Sequence, residues 1–336
     1  MIAVAGKKRR RGLTVLNEPA DLTRLIAALK GYGRPVRAAF EATGNDHRAL
    51  AYHLATAGFE VKRVSSVALA RTRQALHNSW DKNDPKDAQV ILQTMEIGDE
   101  QFYHDPLVCG MNDIQQLSKT HNIVSKSKIE LWQRILTHYL SLYVPKADHF
   151  HRSSRSDGFF AFLERYPSPH FISDMRKDAC IANPWDVVGR KVAKERLLAD
   201  IYETAKASVE LPVGLDSDAI GMFRLVFGEG RNLIAQRNQI EDSAVALVKD
   251  LPDYQLLTSV PGTGPINAPT ILAQAGELRR FAHHQQFLTF CEMDRTMIQS
   301  GPFRGQTKRS KYANARLRRT LWMAGQVAIV QRTNSF

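Results

Sequence analysis

Apolar positions along the first 110 residues change period repeatedly. Residues 1–5 and 13–16 are short apolar runs, separated by a basic, turn-like run at 7–11. Leu22, Leu25, Ile26 and Leu29 then recur at helical spacing, behind Asn17 as a cap and Pro19 in a first turn; Gly31 and Gly33 close the segment. Residues 36–41 read as a buried strand. A helix opens at Asn45 or Asp46 and continues to residue 57, where Gly58 stops it. Residues 59–64 form a second strand, 67–76 a helix, and another helix runs from Asp84 through Met95, stopped by Gly98. Strands alternating with helices at this spacing predict an α/β layer with some parallel pairing.

Beyond residue 110 the helical period dominates. Residues 114–140, 191–209 and 218–251 read as long, charge-balanced helices, the pattern of a helical spacer or coiled-coil arm. Between them, 145–184 is rich in Ser, Pro, Asp and His and reads as irregular. Residues 252–336 hold short helices. The pattern predicts three segments, 1–110, 111–251 and 252–336, with no internal repeat.

Composition adds mainly exclusions. The chain has 336 residues, 43% hydrophobic and 24% charged, which excludes wholesale disorder and a collagen-like repeat. Cys109, Cys180 and Cys291 are far apart and odd in number, so neither a disulfide framework nor a C-x-x-C zinc site fits. No run approaches the ~18 apolar residues of a membrane span, and the charges at 7–11 follow the first apolar run where a secretion signal needs them ahead of it. A reducing cytoplasmic location is expected, with no membrane partner.

Charge changes the picture more. Lys and Arg total 46 against 34 Asp and Glu, a formal +12. Residues 1–110 carry 16 basic and 12 acidic residues, 111–250 carry 19 and 18, and 251–336 carry 11 and 4. No acidic residue follows Asp294. A basic terminal segment of this kind suits a polyanion such as DNA, although an ordinary soluble basic surface has the same composition.

Four motifs carry candidate chemistry. In Phe40-Glu41-Ala42-Thr43-Gly44, a glutamate ends an apolar strand, at the sheet edge where α/β proteins build their sites. In Asn83-Asp84-Pro85-Lys86-Asp87-Ala88, two carboxylates three apart share one helix face and suit a divalent ion with oxygen ligands. The same residues also describe an ordinary capped helix start. Residues 257–264, ending Pro261-Gly262-Thr263-Gly264, resemble the turn of a helix-hairpin-helix, whose glycines let backbone amides approach a phosphate. Pro269 is expected to kink the helix that follows. Finally, Ser300-Gly301 in a flexible turn precedes Arg304, Lys308, Arg309, Lys311, Arg316, Arg318 and Arg319. A serine among guanidinium groups suits phosphoryl transfer, but local sequence alone favours a loop serine in a nucleic-acid-binding patch, and Thr307 and Ser310 are competing hydroxyls. Walker A, G-x-G-x-x-G and G-x-S-x-G patterns are all lacking, which disfavours nucleotide hydrolysis and esterase chemistry.

In this order, the motifs resemble those of the DEDD transposases of bacterial insertion sequences, of the insertion-sequence one-ten type, and of the related Piv-type DNA invertases. The strings are Glu41–Gly44, the Asp84/Asp87 pair with Ala88, the Pro261–Gly264 turn, Ser300-Gly301, Gly305, Ser310-Lys311 and Leu317-Arg318-Arg319. The resemblance implies an α/β plus all-α protein. Its parts would be a RuvC-like (RNase H-like) first domain, a helical or coiled-coil spacer, and a helical C-terminal transposase domain. It implies Glu41, Asp84 and Asp87 as metal-binding acids for Mg²⁺ and Ser300 as the nucleophile that becomes linked to DNA. Gly262, Gly264 and the basic residues named above would grip nucleic acid. Implied partners are double-stranded DNA, a structured noncoding guide RNA and further copies of the chain, as a dimer or tetramer, on the bacterial nucleoid. The acids and the serine fall in different segments, so a composite site is expected.

Two departures from that pattern follow. The family's first acid stands on an opening strand upstream of the E-A-T-G string. Here residues 1–5 align with the second strand, and no Asp precedes Glu18. The first strand and its Asp are therefore expected to be missing. At the other end the family continues through a further helical segment, whereas residues 331–336 read as an unrelated tail. The alternatives are an inactive remnant that only binds nucleic acid, and a RuvC-like junction nuclease that uses water.

Overall fold

A computed structural model describes residues 12–42, 44–77, 84–144, 157–182, 194–209, 211, 213–291, 293–296, 299–305, 308–309 and 314–330. The chain divides into two compact units, 1–113 and 114–336. Among the expectations above, the 1–5 strand, the 7–11 turn and the 331–336 tail lie outside the described residues.

The first unit is α/β. Helix α1 (Pro19–Lys30) starts on Pro19, whose fixed φ suits a first turn. It buries Leu22 and Leu29. Asp21 in that turn accepts from the Leu16 amide at 2.9 Å. Strand β1 (Arg37–Glu41) follows, then α2 (His47–Thr56), β2 (Glu60–Val64), α3 (Ser66–His77), α4 (Asp84–Ile97) and β3 (Gln101–Phe102). The sheet order is β1-β2-β3. β1 and β2 are parallel in the register Arg37↔Glu60 to Glu41↔Val64, as the alternating pattern predicts, and β3 closes antiparallel on β2. Residues 13–16 are apolar but form no strand.

Side chains alternate across the sheet, and each face has its own core. Ala38, Phe40 and Val61 pack with Leu29, Ala51 and Leu54. Ala39 and Val64 pack with Leu69 and Val90. The first cluster sets α1 and α2 against one face; the second sets α3 and α4 against the other. Glu41 shares the parity of Ala39 and so belongs to the α3/α4 face.

The second unit is helical apart from two small ribbons. It contains α5 (Asn112–Arg134), which continues through a π-helical turn (Ile135–Leu140) into α6 (Ser141–Tyr143). Then come α7 (Asp157–Arg165), α8 (Pro169–Ser173), α9 (Lys177–Ala182), α10 (Lys194–Lys206) and α11 (Asp218–Val248). The irregular reading of 145–184 is corrected over 157–182, which is mostly helix. Ser168 caps α8 by accepting from the Phe171 amide, with Pro169 at the first helical position. Ser-Pro here marks a helix start, not a loop. Buried positions on α11 (Ile220, Phe223, Phe227, Gly230, Ile234) alternate by three and four residues. Phe223 and Phe227 lie 4.5 Å apart, and Phe160 of α7 lies 5.4 Å from Phe227. Phe160 fills the space at Gly230, where a Cβ would come within 2.5 Å of its ring.

The end of this unit carries α12 (Pro252–Ser259), α13 (Asn267–Ala275), a 3₁₀ turn (Leu278–Arg280) and α14 (His284–Phe290). Four two-residue strands follow, β4 (Arg295–Thr296), β5 (Gln299–Ser300), β6 (Phe303–Arg304) and β7 (Lys308–Arg309), and then α15 (Ala315–Val330). Ile271, Ala275, Cys291 and Leu317 form its core with Phe281, Phe287 and Phe290 around them. Pro269 does not kink α13. The helix begins at Asn267, so Pro269 lies in its first turn, where the missing N–H has no intrahelical acceptor to lose.

Gly262 adopts φ +83°, and a Cβ there would lie 2.1 Å from the Ala324 carbonyl oxygen of α15. Gly264 has no atom near such a Cβ. Gly262→Ala is therefore expected to lower stability by about 3 kcal/mol through backbone strain and overpacking, and Gly264→Ala by under about 1 kcal/mol. Chemical denaturation of the two variants measures the contrast.

Burial pushes the Cys291 thiol up from the ordinary 9.0 to about 11. The folded chain keeps this proton where the unfolded chain loses it. Stability is thus expected to fall as pH rises from about 9 to about 11, and the fall to be shallower in Cys291→Ala, read from melting temperatures. Exposed Cys109 should take an alkylating label before Cys291.

Candidate active site

The carboxylates of the first unit come from a strand end and a helix start. Glu41 is the last residue of β1 and is half-buried. Its neighbour Phe40 stacks on His47 at 4.9 Å and meets Tyr103 edge-on at 5.0 Å, which fixes the strand end. Burial, with the Asp105 carboxylate beside it, raises the Tyr103 phenol and keeps it neutral. Gly44, at φ +57°, turns the chain toward α2. Thr43 and Asn83 lie outside the described residues.

Asp84 and Asp87 stand in the first turn of α4, where the helix dipole favours negative charge. Asp84 is exposed and Asp87 half-buried. Helix α4 packs on β1 and on α3, which puts its start on the sheet face that Glu41 shares. Asp87 is not a bare carboxylate. Its Oδ1 receives Arg73 Nη2 of α3 at 2.5 Å, and the two side chains keep only 14% and 13% of their surface exposed. Arg73 Nε is buried with no hydrogen-bond partner.

Three carboxylates supply the oxygen donors a hard divalent cation takes, so the chemistry of the set fits. Among the described residues, however, no group of three His, Cys, Asp or Glu is drawn together to hold an ion. Arg73 was not foreseen from the sequence. A pair between neighbouring helices, 14 residues apart, leaves no local spacing signature.

Ser300 lies in β5, not in a flexible turn as its Gly-Pro surroundings suggested. The backbone pairs Gln299 with Arg304 and Ser300 with Phe303, and Gly301 turns the hairpin at φ +58°. A glycine with positive φ at the first position of a two-residue loop matches the twist of a tight hairpin. Outside this ribbon, β4 pairs with β7, Arg295 opposite Arg309 and Thr296 opposite Lys308. In sequence the β5–β6 hairpin falls between β4 and β7, and Arg295, Arg304, Lys308 and Arg309 lie on these strands. Thr307, Ser310 and Lys311 fall outside the described residues.

The remaining predicted nucleic-acid contacts are dispersed. Gly262 turns its Cα to α15, and Gly264 is open. Asn314 caps α15 by accepting from the Leu317 amide at 3.0 Å. Arg316 is turned inward, and its Nη2 donates to the Ser118 carbonyl of α5. Burial lowers its pKa from the ordinary value. Arg318 is half-buried and Arg319 exposed.

Comparison with known families supplies the class. Residues 1–145 match a DEDD transposase model of the IS110 type, described as a transposase. Residues 254–336 match the model described as the transposase IS116/IS110/IS902 family. The acids fall in the first match and Ser300 in the second, so both ends are those of a transposase. The chain belongs to the IS110-type DEDD transposase family. Such membership implies a DNA-cutting and rejoining enzyme that depends on a divalent metal. No curated protein matches the chain. No helix among the described residues is long and apolar enough to cross a membrane.

Arg316→Ala is expected to cost about 2 kcal/mol of stability, because it removes a half-buried cation from a helix carbonyl. Arg319→Ala should stay within about 0.5 kcal/mol of the parent. Denaturant titrations separate the two.

Proposed function

We propose that this transposase cuts and rejoins DNA through Ser300, with Glu41, Asp84 and Asp87 as its metal-binding acids and Mg²⁺ as their ion. The β5–β6 hairpin carries the reading: it holds Ser300 beside a tight turn with Arg304 on its second strand, and Arg295, Lys308 and Arg309 lie on the β4–β7 ribbon that brackets it in sequence. Ser300 Oγ attacks the scissile phosphorus, and its proton passes to a base. The bond from phosphorus to the leaving sugar oxygen breaks, and that oxygen takes a proton. A phosphoserine link to DNA results. A hydroxyl of the recipient strand then attacks the same phosphorus and frees the serine. One phosphodiester is exchanged for another, so no nucleotide is consumed.

Arg304, Lys308, Arg309, Lys311, Arg318 and Arg319 neutralise backbone phosphates, and Gly264 leaves a hairpin amide open to one. Arg316 serves chiefly as a brace. An Mg²⁺ held by the acids would offset phosphate charge and stabilise the departing oxygen. Arg73 already holds Oδ1 of Asp87.

The first unit is proposed to be RuvC-like, related to that of Piv-type invertases. The two separate cores of the second unit, one around Phe223 and Phe227 and one around Ile271 and Leu317, support a spacer to about 251 followed by the transposase segment. Site choice is assigned to a structured guide RNA, with the protein holding backbone. The chain is proposed to act as a homo-oligomer.

The expected product is a covalent protein–DNA adduct, visible on a denaturing gel with a matching element end, its RNA and Mg²⁺. Ser300→Ala should abolish adduct and strand exchange and leave DNA binding within about twofold. Nicked DNA with no adduct, unaffected by Ser300→Ala, assigns the chemistry to water and removes the serine from it.

A further inference from the structure

Arg73 pairs with Asp87, one of the candidate acids, and its surroundings set it apart from a surface ion pair. The contact joins a guanidinium to a carboxylate, a charge-assisted pair. Both partners are mostly removed from water, so screening is weak. Arg73 Nε, buried and without a partner, gives the guanidinium no second anchor at that nitrogen. Val64, Leu69 and Val90 form the apolar contact of α3 and α4 with the sheet.

We propose that Arg73 is a positioning residue that holds the Asp87 carboxylate as a built-in counter-cation, in competition with the divalent ion. The inference rests on the reading of Glu41, Asp84 and Asp87 as metal-binding acids. Two carboxylates in one helical turn, on the sheet face that Glu41 shares, concentrate negative charge. A guanidinium cannot lose its proton, so it neutralises that charge at any physiological pH. It also takes a lone pair on Asp87 Oδ1, so an ion at that carboxylate has to share it with the guanidinium or displace it. Repulsion between the two cations therefore weakens ion binding at this carboxylate. A purely structural ion pair behaves in the opposite way. Its loss would loosen α4 and weaken ion binding.

The test is calorimetric titration of the full chain with Mn²⁺, together with melting curves in EDTA and in Mn²⁺. Arg73→Gln is expected to bind Mn²⁺ about tenfold more tightly than the parent, the factor that one charged hydrogen bond represents. In EDTA it should melt below the parent, with the gap closing as Mn²⁺ is added. Arg73→Lys, a gentler change should Arg73→Gln fold poorly, should lie between the two. Equal or weaker Mn²⁺ binding in both variants overturns the inference. If the parent binds Mn²⁺ and loses it in Asp87→Asn while Arg73→Gln binds like the parent, the acid reading stands and only the role of Arg73 falls. If neither the parent nor either Arg73 variant binds Mn²⁺, both fall.

Discussion

Parallel pairing of β1 with β2 fixes where the acids of the first unit sit. Parallel strands need a crossover, and here α2 supplies it. Once Glu41 stands opposite Val64, alternation along the strand assigns Ala39 and Glu41 to one face and Ala38 and Phe40 to the other. Leu69 and Val90 cover the first face, so the helix that begins with Asp84 lies on the side of Glu41. A slip of one residue would reverse every assignment and set Glu41 over the core of α1 and α2. The register is therefore the physical link between a strand-end glutamate and a helix-start aspartate 43 positions further along the sequence.

The second unit works on another rule, in which small residues admit large neighbours. Gly230 leaves room for the ring of Phe160, and Gly262 leaves room for the backbone of α15. Around these close approaches the aromatic core and the C-terminal core each reach full burial. The basic residues then sort by depth. Arg316 is committed to a carbonyl of α5, while Arg319 on the same helix faces solvent. Net charge alone treats them as equal.

What was legible in the sequence was mostly local. The ends of β1 and α4, the Gly58 and Gly98 stops, and the turn at 261–264 each depend on a few adjacent residues, and their elements appear within one or two positions of expectation. Tertiary partners were not legible. Arg73 with Asp87, and Arg316 with Ser118 at 198 residues' separation, are made by packing and leave no spacing rule. Two errors came from reading punctuation too literally. Ser168-Pro169 starts a helix, and Gly301-Pro302 closes a hairpin, although both looked like loops. The expectation for Pro269 failed for a related reason, since a shift of the helix start converts a kink into a permitted first-turn residue.

The contact between Gly262 and Ala324 differs in kind from the others. Most packing distances are set by side chains, and a lineage can retune them by exchanging a valine for an isoleucine. Here main chain meets main chain, so there is no substituent to adjust. The distance from the 260–266 turn to α15 is an all-or-none quantity, kept whole or lost. Arg316 and Arg319 ride on that helix, and their reach is inherited from a fixed gauge. Any change in what α15 presents to solvent then has to arise in side-chain length and charge along the helix, not in where α15 lies.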